Sequence, residues 1–191
     1  MIDIRPLVIP LVTAALLIVC GGVLFLDGNN EDSTRLLIRL TATSSFLLLC
    51  LTSTARVLRQ QLGDIWKPVL QVRRRLGISF AISHSFHLAA IINLVYVAYD
   101  GDFSKLEALV PGLAVYLVIY LMAFTSNDAA VQWLGAKNWR RFHTAGSYLL
   151  LGVFANSYIG AAITLGGHYW LYVALTLAVL ILRQLYRFKR S

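Results

Sequence analysis

Four histidines carry the most versatile chemistry in this chain of 191 residues: His84, His87, His143 and His168. His84 and His87 belong to Ser83-His84-Ser85-Phe86-His87. Three residues apart, they share one face of a helix. Two neutral imidazoles on one face suit a metal centre, the iron of a porphyrin included, because imidazole is a common ligand for iron, copper and zinc. The same pair could instead hydrogen-bond to polar groups on neighbouring helices, with Ser83 and Ser85 in a similar role. Inside a membrane such bonds are worth about 0.6 kcal/mol on average. His143 follows Trp139-Arg140-Arg141-Phe142 at the start of another apolar segment and suits ligation and packing equally. His168, after Gly166-Gly167, reads as an interfacial residue. Cys20 and Cys50 sit inside apolar runs, with no spacing that suggests a metal motif or a disulfide framework.

The elements that must position these side chains are set by composition. Hydrophobic residues make up 58% of the chain and charged residues 14%, with a mean hydropathy of +0.70. A soluble domain is about 45–50% apolar and about 25% charged, so this chain departs toward lipid. That excludes a disordered chain, a secreted disulfide scaffold and a typical cytosolic enzyme. A membrane helix needs about 20 mostly apolar residues. Six stretches qualify: 7–26, 36–55, 76–98, 108–125, 143–163 and 168–186. An all-α bundle of six transmembrane helices in one domain, 1–191, is therefore expected, without strands, since open sheet edges cannot be satisfied in lipid. The last two spans, separated by Gly166-Gly167, should form a tight hairpin. The first span differs from a signal peptide in its long apolar run and the absence of a small-residue cleavage site. Leu17-Ile18-Val19-Cys20 is an imperfect lipoprotein box, because Val19 is large, so the span is expected to stay in the mature protein.

Charge orients the bundle. The chain holds 17 Lys and Arg against 9 Asp and Glu, a net charge of +8. With both termini cytoplasmic, the inner side receives Arg5, Arg56, Arg59, Lys67, Arg73, Arg74, Arg75, Lys137, Arg140, Arg141, Arg183, Arg187, Lys189 and Arg190. Arg35, Arg39 and Lys105 fall outside, together with Asp27, Glu31, Asp32, Asp100, Asp102 and Glu107. This is the Lys/Arg bias of inner loops. Anionic lipid headgroups are the natural counter-charge, and nucleic acid is not expected as a partner. Residues 56–75 read as the inner connection between spans two and three, with Trp66-Lys67-Pro68 marking a break. No glycine-rich nucleotide fingerprint or phosphate loop is present. The short loops favour a bacterial inner membrane.

Arg74-Arg75-Leu76-Gly77, with His87-Leu88 ten residues after the glycine, resembles the third span of ferric reductase-like transmembrane proteins. That superfamily includes NADPH oxidases, fungal ferric reductases and the small haem-binding membrane subunit of a bacterial periplasmic methionine sulfoxide reductase. Trp139-Arg140-Arg141-Phe142-His143, with Tyr148 beyond, is similar to the start of the family's fifth span. The resemblance implies b-type haem, here one, between spans three and five. Its iron ligands would be His87 and a span-five histidine, first His143. The family's second span-five histidine falls thirteen residues later, where this chain has Asn156.

Depth counted from the basic ends at 1.5 Å per residue places His84 about 14 Å in, His87 about 18 Å, Asn156 about 22 Å and His143 about 3 Å. Three arrangements follow. A single haem is held by His87 or His84 with an open or unusual partner near Asn156; or His84 pairs with His143; or the haem is lost and His84, His87, Asn156 and Tyr158 form a polar cluster. Arg39 and Arg35 could meet haem propionates or reach outward to headgroups.

Three functions compete. The first is a haem-binding oxidoreductase subunit that relays electrons between a separate donor, a quinone or a reductase, and a separate acceptor. The second is a haem-free membrane subunit that binds or stabilises a partner. The third is a small metal-ion or transport protein using His84 and His87, which the lack of acidic residues within the spans disfavours. The sequence does not specify an oligomeric state.

Overall fold

The computed structural model describes residues 5–104 and 110–188. The expected start of the fourth span at 108, the charges Lys105 and Glu107, and the tail residues Lys189 and Arg190 lie outside them. Among the described residues the regular structure is helical throughout. A 3₁₀ turn at Arg5–Leu7 leads into α1 (Val8–Asp27), then α2 (Glu31–Leu62). A second 3₁₀ turn at Asp64–Trp66 precedes α3 (Lys67–Tyr99). The remaining helices are α4 (Val110–Phe124), α5 (Asp128–Leu134), α6 (Ala136–Leu165) and α7 (Tyr169–Phe188). Five helical segments are long and apolar enough to cross a membrane; a sixth qualifies if α4 and α5 are taken as one broken span. The protein is a polytopic helical membrane protein.

Local chemistry sets the ends. Pro10 falls in the first turn of α1, where its missing N–H costs no intrahelical bond. The start of α2 is a reciprocal capping box: Ser33 N–H donates to Asn30 Oδ1 at 3.0 Å, and Asn30 N–H donates to Ser33 Oγ at 3.1 Å. Glu31 and Asp32 add negative charge to that first turn, the sign its dipole favours. Gly63, at φ 80°, makes the turn between α2 and α3 in a conformation that side chains resist. Pro68 then occupies the first turn of α3. Asn127 caps α5 by accepting from Ala130 N–H at 2.8 Å. The hairpin between α6 and α7 turns on Gly166 and Gly167, at φ 66° and 59°, as expected.

The polar stretch 56–75 differs from the expected connection. It is helical except around Gly63, with α2 running on to Leu62 and α3 beginning at Lys67. Arg, Gln and Leu are good helix formers, so loss of hydropathy marks the edge of the bilayer and not the end of the helix.

The chain divides into two compact units. One combines Met1–Leu48 with Arg75–Phe124; the other combines Leu49–Arg74 with Thr125–Ser191. In the first, Phe46, Val95 and Ile119 are buried beside an unusual number of polar residues: Thr34, Thr41, Ser45, Ser79 and Ser83. In the second, α6 buries Gly146, Leu150, Leu151, Phe154, Tyr158 and Ala162, a stripe at helical spacing. Large apolar side chains such as Ile18, Phe25, Ile163 and Leu171 face outward. Lipid supplies no hydrophobic drive between helices, so close packing and buried hydrogen bonds hold such units together.

Candidate functional site

Within the first unit, α2, α3 and α4 build a polar seam around the two central histidines. Thr41, Ser44 and Ser45 occupy positions i, i+3 and i+4 of α2, which puts them on one face. Ser83 Oγ, fully buried, lies 2.7 Å from Ser44 Oγ and 2.9 Å from Ser45 Oγ. One helical turn further along α3, His87 Nδ1 stands 3.1 Å from the Ile38 carbonyl oxygen and 3.2 Å from Thr41 Oγ1.

These contacts assign the tautomer of His87. A carbonyl oxygen can only accept, so Nδ1 carries the proton. Thr41 donates its own hydroxyl hydrogen to the Leu37 carbonyl at 2.6 Å, so its oxygen is an acceptor toward the ring. With the proton on Nδ1, neutral His87 keeps a lone pair on Nε2. Histidines that bind metals are typically held this way, one ring nitrogen bonded to a carbonyl and the other free to ligate.

His84 shares that face, as its spacing predicts. Its ring stacks on His87 with centroids 5.0 Å apart, and also lies 5.7 Å from Phe80 and 4.9 Å from Tyr116. Tyr120, one turn beyond Tyr116, has its hydroxyl 3.0 Å from Ser85 Oγ. His84 is thus embedded in a stack of rings, whereas His87 is oriented by hydrogen bonds.

The remaining candidates lie elsewhere. His143, in the second unit, has Nε2 2.9 Å from Thr125 Oγ1, with the Trp139 ring stacked on it at 4.1 Å. Asn156 is exposed on α6, two residues from both Phe154 and Tyr158 and so on the face opposite that buried stripe. Arg39 is exposed on α2, and Arg35 forms an ion pair with Glu31 at 2.6 Å. His168 is exposed at the start of α7 beside Tyr169 and Tyr172. Sequence reasoning missed Thr41, Ser44, Ser45, Tyr116 and Tyr120. Their i, i+3 and i+4 spacings within apolar spans were the available signal.

The donor set discriminates between kinds of metal centre. Among the described residues no three of His, Cys, Asp and Glu converge to hold a bare metal ion. A haem brings its own ring nitrogens and asks the protein for axial donors alone. A lone pair on a hydrogen-bonded imidazole in an apolar span fits that requirement, and His87 meets it.

Comparison with known proteins finds distant relatives. The chain is 26% identical over 140 residues to magnetosome protein MamZ of Magnetospirillum gryphiswaldense, covering 71% of this chain and 21% of that protein. It is 25% identical over 126 residues to the protein-methionine-sulfoxide reductase heme-binding subunit MsrQ of Ralstonia nicotianae, covering 61% and 55% respectively. MamZ of Paramagnetospirillum magneticum is 27% identical over 123 residues, or 60% of this chain and 18% of that one. The chain thus spans about half or less of the length of these curated relatives. No family model and no solved structure matches it. The likeness to MsrQ loosely supports the ferric reductase-like resemblance carried by the motifs around Gly77 and His143.

Proposed function

We propose that this protein is a b-type haem-binding electron-transfer subunit of the ferric reductase-like kind. It forms one transmembrane domain in a bacterial inner membrane, with both termini cytoplasmic. The observation that carries this reading is the fixed tautomer of His87. Its Nδ1–H is shared between the Ile38 carbonyl and Thr41 Oγ1, which leaves Nε2 the lone pair an iron ligand needs. When bound, the haem supplies a one-electron carrier within the membrane.

The chain's own residues bind and tune it. Ile38 and Thr41 hold the His87 ring and raise its basicity as a ligand. The rings of Phe80, His84 and Tyr116 stack beside it, and burial is one of the levers on a haem's potential. His84, His143 and Asn156 are the candidates for the second axial position, and Arg39 the candidate for a propionate. Electrons come from a separate donor, a quinone or a reductase, and leave to a separate acceptor, as the subunit name of the MsrQ relative suggests.

The test is a reduced-minus-oxidised absorption spectrum of the protein purified in detergent from haem-replete cells. A b-type band that His87→Ala removes, with helicity and elution volume unchanged, is the expected result. A colourless wild-type protein overturns the proposal. It would favour a haem-free subunit, a reading that the Ser44–Ser83–Ser45 bonds support because they are purely structural.

A further inference from the structure

Within the second unit, α5 and the first turns of α6 are confined to a narrow band at the end of the apolar runs. Thr125, just ahead of α5, accepts from Trp139 Nε1 through its carbonyl at 2.7 Å, and its hydroxyl lies 2.9 Å from His143 Nε2. It is therefore level with the start of the apolar run 143–163. Asp128, the first residue of α5, pairs with Arg74 at 2.7 Å, two residues short of the apolar run that begins at 76. Gly135 ends α5, and Ala136 opens α6 seven residues, or about 10 Å, before 143. The headgroup layer on each side of a bilayer is about 5–8 Å thick, a comparable depth. The two sides of α5 differ in character. Ala130, Val131 and Leu134 are half-buried, whereas Ala129, Gln132 and Trp133, at i, i+3 and i+4, face outward. Trp133 is 83% exposed. Both partners of the Asp128–Arg74 pair are exposed as well, and ionised side chains facing outward do not belong in hydrocarbon.

We propose that α5 is a surface helix lying in the lipid headgroup layer, anchored there by Trp133, and not the second half of a broken fourth span. The fourth crossing is then the apolar run at 108–125, which ends before α5 begins. Tryptophan suits this layer because its ring is apolar while its N–H can donate to headgroup oxygens. Lys137, Arg140 and Arg141, at i, i+3 and i+4 of α6, are exposed along one side of its first turns and complement the lipid phosphates. The side-chain carboxylates in this unit's sequence, Asp64 and Asp128, are paired with Arg59 and Arg74, so the lipid supplies the counter-charge for that side. The bilayer itself covers Trp133, and no haem is needed for it to do so.

The full chain in phosphatidylcholine nanodiscs provides the test. Emission from Trp133 is read as the difference between wild type and W133F, because the other tryptophans remain. Phosphatidylcholine with a nitroxide on its headgroup should quench that difference signal. Lipid brominated near the ends of its acyl chains, and iodide in the buffer, should leave most of it. Amide exchange over 128–134 should rise in W133A and stay low in W133F, which keeps a ring in the layer. Strongest quenching by the deep bromines makes α5 part of a broken span and overturns the proposal. Quenching by iodide with none by the nitroxide lipid puts Trp133 in water, as a surface for a soluble partner, and overturns it too. So does exchange over 128–134 that W133A leaves unchanged.

Discussion

The indole of Trp139 lies over the imidazole of His143, with ring centroids 4.1 Å apart and planes 27° apart. Both side chains reach the same residue. Trp139 Nε1 donates to the Thr125 carbonyl at 2.7 Å, while His143 Nε2 stands 2.9 Å from the Thr125 hydroxyl. This clamp ties the first turns of α6 to Thr125, just ahead of α5.

His143→Ala removes one hydrogen bond and one stacked ring. The expected cost is about 1–2 kcal/mol, read as a fall in melting temperature. A b-type band that keeps its position removes His143 from the candidates for the second axial ligand. A shifted or split band would make His143 an iron ligand.

Thr41→Val deletes one of the two acceptors that hold His87 while leaving the Ile38 carbonyl. Loss of an outer partner typically weakens a metal site 10–100-fold, so haem retention during purification should fall by about 10-fold. Full retention of haem and an unchanged midpoint potential would show that Thr41 does not orient the ligand.

Asn30→Ala breaks the capping box at the start of α2. The expected loss is about 0.5–2 kcal/mol. Asn30→Ser preserves a side-chain acceptor and should recover most of it. Thermal unfolding of the two variants side by side decides this.

Asp128 is exposed, and its ion pair with Arg74 at 2.7 Å holds its carboxyl below the ordinary value of 3.8. A depressed carboxylate stabilises the folded protein above that ordinary value, and the contribution disappears as pH falls through the lowered one. Solvent screening keeps the effect small. Carboxyl NMR of aspartate-labelled protein should show Asp128 titrating later on acidification than an unpaired aspartate. Arg74→Gln should return it to the ordinary range.

Much of this architecture is legible in the residues. Lipid leaves the backbone few solutions, so a long apolar run is nearly enough to place a helix. The α6–α7 hairpin follows from Gly166-Gly167, whose left-handed conformations suit glycine. The shared face of His84 and His87 follows from their spacing alone. What surrounds them does not, because one sequence carries no record of which spans are neighbours. Thr41 and Ile38 become partners of His87 only once α2 packs against α3. His143 and Thr125, 18 residues apart, likewise meet only through the turns around α5. The helical course of 56–75 was hidden for a different reason: hydropathy reports the solvent of a segment, while backbone propensity decides its shape.

That course has a mechanical consequence. If the bilayer holds α2 over 36–55 and α3 from 76, then residues 56–62 and 67–75 stand clear of it as stiff paired rods, about 10–13 Å tall. Arg56, Arg59 and Arg74 ride on this plinth. A water-soluble visitor of opposite charge would land on a preformed platform, with no floppy tether to tame first.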